Sequence, residues 1–503
     1  EMCIRDRTNS GLMYVARREN TWDENMLFFA FFQETSNSYK MNVLWDFNDP
    51  EFAMSLEVTY HNQNSCYVTC VAQSLTKSFG RVYCMPYENV FDVIFWEWIS
   101  WDVLQTQEYM CTRGFIIDNN RFITTTNQYG KCTLLHEQQD ILVPQEVMFV
   151  DQIFVKNSIF FAVVRHNRFG VLQKQIAHIN LGTLKLVCDS LVDIRKKDFI
   201  YDISIQPRHV YFICVGHGII TGTLKNISIS VSNVPKNLLA SKIVMLNQFV
   251  GYVLYQPLQN NSKVVLQEVY GHYGYGHYPK SAWVQTLVCD YGISVCIAMI
   301  RGGGEISPAQ FLAGRKNLVD ARSDCVLITN HLETIEGYSR QNLFLKGVSA
   351  GGTTVAGIMV DSPELYGGFV LINPHLNLCK NLYDSSRRFS KWERSEWGYQ
   401  LENICPWALL QSKQNLLPKP YFISFAKNDT RVLANDIKEF INEYATKSKC
   451  FCNPLYRFHQ HHGHCFSCGL EFSHRWQSME DYVWTYGFLS RIITANCPCV
   501  DAE

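Results

Sequence analysis

One short stretch is the strongest indicator of architecture in this chain: Leu343-Phe344-Leu345-Lys346-Gly347-Val348-Ser349-Ala350-Gly351-Gly352. It begins as an apolar strand, and the pattern Gly-x-Ser-x-Gly at 347–351 precedes a predicted helix through Met359. Such a serine sits on a sharp strand-to-helix turn, and the glycines let the strand and the helix approach closely. The pattern alone is weak, but its place between a strand and a helix favours a nucleophile elbow at Ser349 over an ordinary glycine-rich turn.

Apolar strands alternate with helices on both sides of this elbow. The predicted elements are strands at Val264–Val269, Val295–Ile300, Phe369–Ile372 and Phe422–Phe425, and a helix from Asp324 to about Glu336. This alternation is typical of a parallel sheet covered by helices on both faces. We therefore predict an α/β fold for residues 239–503, with a doubly wound, mostly parallel sheet.

Residues 1–238 follow a different pattern. Short β-branched and aromatic runs, such as Cys66–Val71 and His209–Val215, are separated by turn-forming residues, and a long amphipathic helix is missing. This pattern predicts an all-β domain, and periodicity alone does not choose among a sandwich, a barrel and a propeller.

Composition narrows the classes of function. With 47% hydrophobic residues and a net charge of -1, the chain offers no electrostatic reason to bind nucleic acid. No apolar run reaches the roughly 18–20 residues that span a membrane. The 19 cysteines, without a secretion signal, indicate a reduced, cytosolic protein. The first residue is Glu1 rather than Met, which we interpret as a fragment or an assembly scar.

A serine nucleophile needs a base and an acid that orients the base. In α/β-hydrolases the chain order is serine, acid, histidine. Asp429 follows a predicted strand, and His464 lies further on in a loop rich in His and Gly. Three other residues of that region, His459, His461 and His462, compete with His464 on sequence alone.

An acyl-transfer site also needs donors for the developing oxyanion. The backbone N–H of Ala350, directly after the serine, is expected to be one donor. The phenol of Tyr270, at the end of a predicted strand, is a second candidate, and core packing is its alternative role.

Six motifs stand together in a characteristic order. They are Tyr-Gly-His-Tyr-Gly (270–274), Arg-Gly-Gly-Gly-Glu (301–305), Gly-Val-Ser-Ala-Gly-Gly (347–352), Glu-Trp-Gly (396–398), Asn-Asp-Thr-Arg-Val (428–432) and Gly-His (463–464). In this order they resemble the prolyl oligopeptidase family, most closely its oligopeptidase B and prolyl endopeptidase-like branches. The resemblance is firm over 263–485 and faint before 240.

The resemblance implies a cytosolic serine peptidase in which a β-propeller caps the catalytic domain and admits only short peptides. It makes Ser349 the nucleophile, Asp429 the acid, His464 the base and Tyr270 the oxyanion tyrosine. It also implies that residues 1–238 are a partial propeller, because the family usually has a longer N-terminal half. We expect no cofactor and no metal; the oligomeric state is not predicted.

Substrate contacts are implied by the same resemblance. Arg431 matches a position that helps to hold the substrate backbone. In the oligopeptidase B branch, acidic residues before Trp-Gly bind basic P1 side chains, and here Glu393 precedes Trp397. Ser395 stands where a second acid is expected, so cleavage after basic residues is one option.

Two other functions stay open. One is an ester or thioester hydrolase of the prolyl endopeptidase-like type. The other is a catalytically impaired interaction protein, an option that the divergent stretch 306–319 favours and the complete triad opposes.

A loop rich in Cys and His offers a further alternative. Its members are Cys450, Cys452, His459, His461, His462, His464, Cys465 and Cys468. They are residue types that hold structural zinc, although the spacing matches no standard zinc finger. A reduced loop without metal is the expected alternative, because zinc bound there would compete with catalysis by His464.

Overall fold

A computed structural model describes most of the chain between residues 2 and 492. The described residues are 2–8, 11–17, 25–33, 38–47, 52–60, 66–74, 80–87, 99–103, 109–117, 120–127, 130–137, 139–168, 170–188, 200–205, 209–214, 218–225, 228–232, 239–259, 262–276, 281–316, 319–383, 396–397, 401–429, 431–449, 455–460, 481 and 483–492. The chain divides into two compact units, and the second comprises residues 234–503 with the short segments 169–171 and 213–220. The predicted boundary between 238 and 239 stays a prediction.

The N-terminal unit is built from short strands. Its strands β1 to β20 are Met2–Thr8, Gly11–Arg17, Asn25–Gln33, Ser38–Phe47, Phe52–Tyr60, Cys66–Ser74, Gly80–Tyr87, Ile99–Val103, Tyr109–Ile117, Asn120–Asn127, Cys132–His136, Gln139–Ile141, Val147–Lys156, Ile159–Arg168, Val171–Asn180, Lys185–Val187, Ile200–Ile205, Val210–Cys214, Gly218–Lys225 and Ser228–Ser232. They form five four-stranded sheets among the described residues, each of four strands consecutive in the chain. Sheets of this kind are the blades of a β-propeller.

The blades are held together by apolar side chains between neighbouring sheets. Phe122 of β10, Ile153 of β13 and Ala177 of β15 belong to one buried cluster that joins the third and fourth sheets. This arrangement explains why the sequence alternates without a helical period, because each strand buries only part of its side chains.

The second unit contains one eight-stranded sheet and its helices. Its strands β21 to β28 are Leu239–Met245, Gly251–Pro257, Val265–Val269, Ser294–Met299, Leu343–Val348, Gly368–Ile372, Tyr421–Ala426 and Leu455–His459. The helices α1 to α7 are Ser281–Gln285, Pro308–Lys316, Val319–Thr334, Ala350–Asp361, Leu378–Tyr383, Pro406–Ser412 and Ala434–Ser448, and residues 483–492 are also helical. A π-helical turn at Thr286–Asp290 and 3₁₀ turns at Arg340–Asn342, Pro363–Leu365 and Leu401–Asn403 complete the described elements.

The strand order is β21-β22-β24-β23-β25-β26-β27-β28. From β24 to β28 every neighbouring pair is parallel, whereas β22 pairs antiparallel with both β21 and β24. The predicted α/β class with a mostly parallel sheet is therefore confirmed. Strand β25, which leads to Ser349, lies in the middle of the sheet, and its carboxyl end meets those of β23 and β26.

The central strands are apolar because both of their faces are covered. All five residues of β23 and of β26 are buried, as are the first five of β25. Within the described ranges, no helix is long and apolar enough to cross a membrane.

Candidate active site

Ser349 lies on a strained turn between β25 and α4. Its backbone has φ 54° and ψ −117°, a conformation that non-glycine residues rarely adopt and that costs about 1–3 kcal/mol. The Ser349 N–H donates to the carbonyl oxygen of Ile372 at 2.8 Å, which helps to hold the turn. The structure thus places Ser349 on a nucleophile elbow at the carboxyl edge of the sheet.

The glycines around Ser349 are required by close contacts. A Cβ atom on Gly347 would lie 2.3 Å from the carbonyl oxygen of Gly351, and one on Gly351 would lie 2.5 Å from that of Val269. Any side chain at these positions would push α4 away from β23 and β25. The close approach of helix and strand therefore depends on both glycines.

Asp429 lies in the loop that follows β27 and is 5% exposed. Its Oδ1 atom accepts the backbone N–H of Arg431 at 2.9 Å and that of Val432 at 2.8 Å. Two backbone donors on one oxygen fix the direction of the carboxylate. Arg431 itself is half-buried, one turn of the loop beyond the acid.

The predicted base, His464, lies outside the described residues, as does the predicted P1 residue Glu393. Its competitor His459 is the last residue of β28 and is buried. The Nε2 atom of His459 lies 3.0 Å from the Ser424 hydroxyl and 3.3 Å from Asp481. This nitrogen is therefore engaged away from the elbow. Apart from His459, the members of the Cys- and His-rich loop are not described, and the zinc hypothesis stays untested.

The other side of the site is an aromatic cluster after β23. Tyr270 is half-buried, and its ring contacts those of His272, Tyr273 and Tyr275 at centroid distances of 6.2, 6.4 and 6.2 Å. Tyr270 packs against the same buried apolar cluster that contains Ala350. The two predicted oxyanion donors therefore come from neighbouring elements.

Glu396 and Trp397 hold this cluster through hydrogen bonds to Tyr273. Glu396 Oε1 accepts the Tyr273 N–H at 2.6 Å, and Trp397 Nε1 donates to the Tyr273 hydroxyl at 3.2 Å. The Trp397 ring packs on His272 at a centroid distance of 4.5 Å and is only 3% exposed. The role of Trp397 in substrate binding stays a prediction, whereas its contacts position Tyr273.

His272 is the buried histidine of this cluster. Its Nε2 atom lies 3.1 Å from the Thr354 hydroxyl on α4, so the imidazole links the Tyr270 loop to the elbow helix. Burial lowers the pKa of His272 to about 3, and the nearby His375 contributes in the same direction. The imidazole is therefore neutral at neutral pH.

The Arg-Gly-Gly-Gly-Glu motif braces the loop that carries Tyr270. The Arg301 guanidinium and N–H both bind the Asp324 carboxylate. The Gly302 carbonyl accepts the Gly274 N–H at 3.0 Å, and a Cβ atom on Gly302 would lie 2.1 Å from the Gly271 oxygen. These contacts hold the loop that carries Tyr270 in place.

Comparison with known proteins shows which family part of this chain resembles. Residues 279–486 match the prolyl oligopeptidase family. The matched residues make up less than half of the chain, and over them the chain is similar to this family. Its matched part contains Ser349, Asp429 and His464, whereas Tyr270 lies just before it.

Curated relatives match over less than half of the chain. Dipeptidyl aminopeptidase BI of Pseudoxanthomonas mexicana is 28% identical over 136 residues, which are 27% of this chain and 19% of the relative. Prolyl endopeptidase-like of Xenopus laevis is 24% identical over 212 residues, 39% of this chain and 29% of the relative. The aligned region thus covers less than a third of either relative.

Solved structures are similar over nearly the whole chain. Oligopeptidase B from Leishmania major has a TM-score of 0.74 at 14% identity and covers 98% of this chain and 72% of its own. Prolyl oligopeptidase B from Galerina marginata has a TM-score of 0.71 at 14% identity, with 96% and 71% covered. At this identity the similarity shows the fold alone, a propeller followed by an α/β-hydrolase domain, as predicted.

Several residues that support the aromatic cluster were not identified from sequence. Glu396 belongs to the Glu-Trp-Gly motif and His272 to the Tyr-Gly-His-Tyr-Gly motif. Neither residue was assigned a role of its own. The divergent stretch 306–319 contains α2, where the Gln310 carbonyl accepts the Gly302 N–H at 3.0 Å. This stretch therefore still supports the loop that carries Tyr270, despite its unusual sequence.

Proposed function

We propose that this chain is a serine-type oligopeptidase that hydrolyses peptide bonds in short peptides through Ser349, Asp429 and His464. The observation that carries the proposal is the strained backbone of Ser349, with φ 54°, on an elbow at the end of a central strand. A backbone strained at this position is typical of a nucleophile held ready for attack. Short peptides are the proposed substrates, and a cytosolic location stays a prediction.

In the proposed reaction, Ser349 Oγ attacks the carbonyl carbon of the scissile bond while His464 accepts the hydroxyl proton. The C–N bond then breaks, and His464 gives this proton to the leaving amine. The product that remains is an ester of the acyl group with Ser349. Water attacks this ester while His464 accepts its proton, the bond between the acyl carbon and Ser349 Oγ then breaks, and His464 returns the proton to Ser349 Oγ as the acid is released. Asp429 orients the imidazole and stabilises its charged form.

The negative oxygen that forms in each step needs donors, and we assign them to the Ala350 N–H and the Tyr270 hydroxyl. Ala350 is the first residue of α4, so its N–H is one of the helix N-terminal donors without an intrahelical acceptor. Tyr270 shares a buried apolar cluster with Ala350, which supports a common target.

Replacing Tyr270 by phenylalanine tests the second donor. We expect Tyr270→Phe to lower kcat by about 10²–10³-fold with little change in KM, because an oxyanion donor acts mainly in the transition state. Steady-state kinetics on a fluorogenic peptide measure the change. Tyr275→Phe is the matched control, since Tyr275 belongs to the same aromatic group but is 67% exposed. An equal fall in both variants would contradict the assignment.

Cleavage after basic residues is the finer part of the proposal, and Glu393 carries it. We expect Glu393→Gln to raise KM for a peptide with Arg at P1 about ten-fold, because a charge-assisted hydrogen bond becomes a neutral one. The same variant should leave hydrolysis of a peptide with Pro at P1 unchanged. Equal effects on both peptides would show that Glu393 does not read the P1 side chain.

One substrate comparison tests the whole proposal. Purified protein is given matched substrates that differ only in an amide, ester or thioester at the scissile position, with Ser349→Ala as the blank. The proposal expects turnover of the amide that disappears in the blank. Turnover of the ester or thioester alone would replace the oligopeptidase with a hydrolase of activated acyl groups. No turnover in a folded protein would favour an interaction protein.

A further inference from the structure

Three buried polar side chains lie together beside the proposed catalytic loops. Ser424 is in β27, His459 ends β28, and Asp481 precedes the helical residues 483–492; these three are 0%, 4% and 6% exposed, respectively. We call them the Ser424 cluster. From the sequence, Ser424 and Asp481 were assigned no role, and His459 was considered only as a competing base and as a member of the Cys- and His-rich loop.

The hydrogen bonds of the Ser424 cluster determine which atom donates the proton in each contact. The Ser424 hydroxyl donates to Asp481 Oδ1 at 2.7 Å, which uses its one hydrogen. His459 Nε2, at 3.0 Å from the same hydroxyl oxygen, must then be the donor of that contact. The same nitrogen lies 3.3 Å from Asp481 Oδ1, so it shares its proton between the two oxygens.

This arrangement is not a second catalytic triad, although it contains Ser, His and Asp. In a triad the acid binds one ring nitrogen and the serine binds the other. Here the serine and the acid share a single nitrogen, so the imidazole cannot take the serine proton. Ser424 is also fully buried, which keeps any substrate from its hydroxyl.

The cluster joins the two strands that lead to the acid and the base. Asp429 follows Ser424 by five residues, and His464 follows His459 by five residues. The strands are also linked beyond their ladder, because the Lys427 N–H donates to the His459 carbonyl at 2.8 Å. The Ser424 cluster therefore joins β27 to β28 at the ends of the strands from which the Asp429 and His464 segments continue.

The cluster is also connected to the elbow. The Ser424 carbonyl accepts the Asn373 N–H at 2.7 Å, and the preceding Ile372 accepts the Ser349 N–H. Asp481 is held from the other side by its helix, where Phe488 packs on Phe422 of β27 at a centroid distance of 6.3 Å. One polar group thus meets the elements that carry all three proposed triad residues.

We propose that the Ser424 cluster is a positioning device that fixes the Asp429 and His464 loops relative to each other and to Ser349. This inference rests on the proposed function, because it assumes that those residues act together. The members of the cluster act through the loops and do not touch the substrate.

The test removes two members of the cluster singly and together. Ser424→Ala and Asp481→Asn are each expected to lower kcat about ten-fold, because a small misplacement of catalytic groups is costly. KM should stay within about two-fold. The double variant should lose about as much as either single variant, because the residues act as one unit. Asp481→Asn keeps the size of the side chain and remains informative if Ser424→Ala does not fold.

Ser294→Ala is the matched control. Ser294 is a fully buried serine at the first position of β24, and its hydroxyl accepts a hydrogen bond from Tyr338 at 2.8 Å. It lies at the amino end of the same sheet, away from the catalytic loops. Its loss should lower the melting temperature without lowering kcat, which separates a fall in stability from a fall in positioning.

The outcomes distinguish this inference from the function on which it rests. A wild-type protein that forms a single adduct with a fluorophosphonate probe, together with variants of unchanged kcat, would overturn only the positioning role. If kcat of the double variant fell by about a hundred-fold, the product of the two single losses, the residues would act independently, and this result would also overturn only the positioning role. A folded wild type that neither reacts with the probe nor hydrolyses peptides would overturn both.

Discussion

Ser349→Ala is expected to lower hydrolysis by at least about 10⁴-fold and to abolish the covalent adduct with a fluorophosphonate probe. The physical reason is that no other described hydroxyl occupies the elbow, so the acyl group has no acceptor. Intact-mass spectrometry detects the adduct, and steady-state assays detect the residual rate.

The folded state should survive this substitution. Both serine and alanine carry a Cβ atom, so the strain of a positive φ at this position is nearly the same in both. The melting temperature should therefore stay close to that of the wild type. Ser294→Ala serves here too, as a serine variant that keeps the adduct. An adduct that persists in Ser349→Ala would place the nucleophile elsewhere.

Asp429→Asn is expected to lower kcat by about 10⁴-fold, the loss typical of a triad acid replaced by its amide. The side-chain oxygen of the asparagine can still accept the N–H groups of Arg431 and Val432, so the loop keeps its shape. Its NH₂ group would then face the imidazole and select the wrong tautomer. Steady-state kinetics and the rate of probe labelling should fall together.

The control for this variant is another buried carboxylate of the same domain. Asp436, in α7, accepts hydrogen bonds from Lys380 at 2.9 Å and Asn381 at 2.8 Å. Asp436→Asn therefore removes a comparable charge and should cost stability while leaving kcat nearly unchanged. Equal loss of kcat in both variants would argue that Asp429 is structural.

The elbow was predictable because its chemistry is local. The two glycines of the Gly-x-Ser-x-Gly pattern are required by contacts within a few residues and with the adjoining strand, and they leave a readable spacing. The strands β23 to β27 were predicted for a similar reason, since strands buried on both faces are mostly apolar.

Elements at the edge of the sheet were harder to find. Strand β21 has two exposed residues and four half-buried ones, so its apolar signal is weak, and it was not predicted. The helix α3 begins at Val319, earlier than the predicted start at Asp324. Asp324 therefore lies inside the helix, and its carboxylate binds Arg301, a long-range partner that local patterns do not reveal.

The contacts of the histidines and aromatic residues were also hard to predict, because their partners are distant in the chain. The family resemblance selects His464 among the histidines at 459, 461, 462 and 464, but the contacts of His459 with Ser424 and Asp481 are visible only in the tertiary structure. Its partner Asp481 lies 22 residues later in no recognisable motif. Trp397 was predicted at the substrate from its motif, whereas its burial depends on His272 and Tyr273, which are far away in the chain.

The way in which Asp429 is held has a consequence for divergence among related enzymes. Its carboxylate is oriented by main-chain N–H groups, which every residue except proline supplies. The half-buried side chain at 431 can therefore change without removing these two hydrogen bonds, whereas Val432 is held in the core. Arg431, the proposed contact to the substrate backbone, binds Asp429 through its main-chain N–H and not through its side chain. A substitution at 431 can thus change the substrate preference while Asp429 keeps its orientation. Selectivity and turnover can therefore evolve separately at this loop.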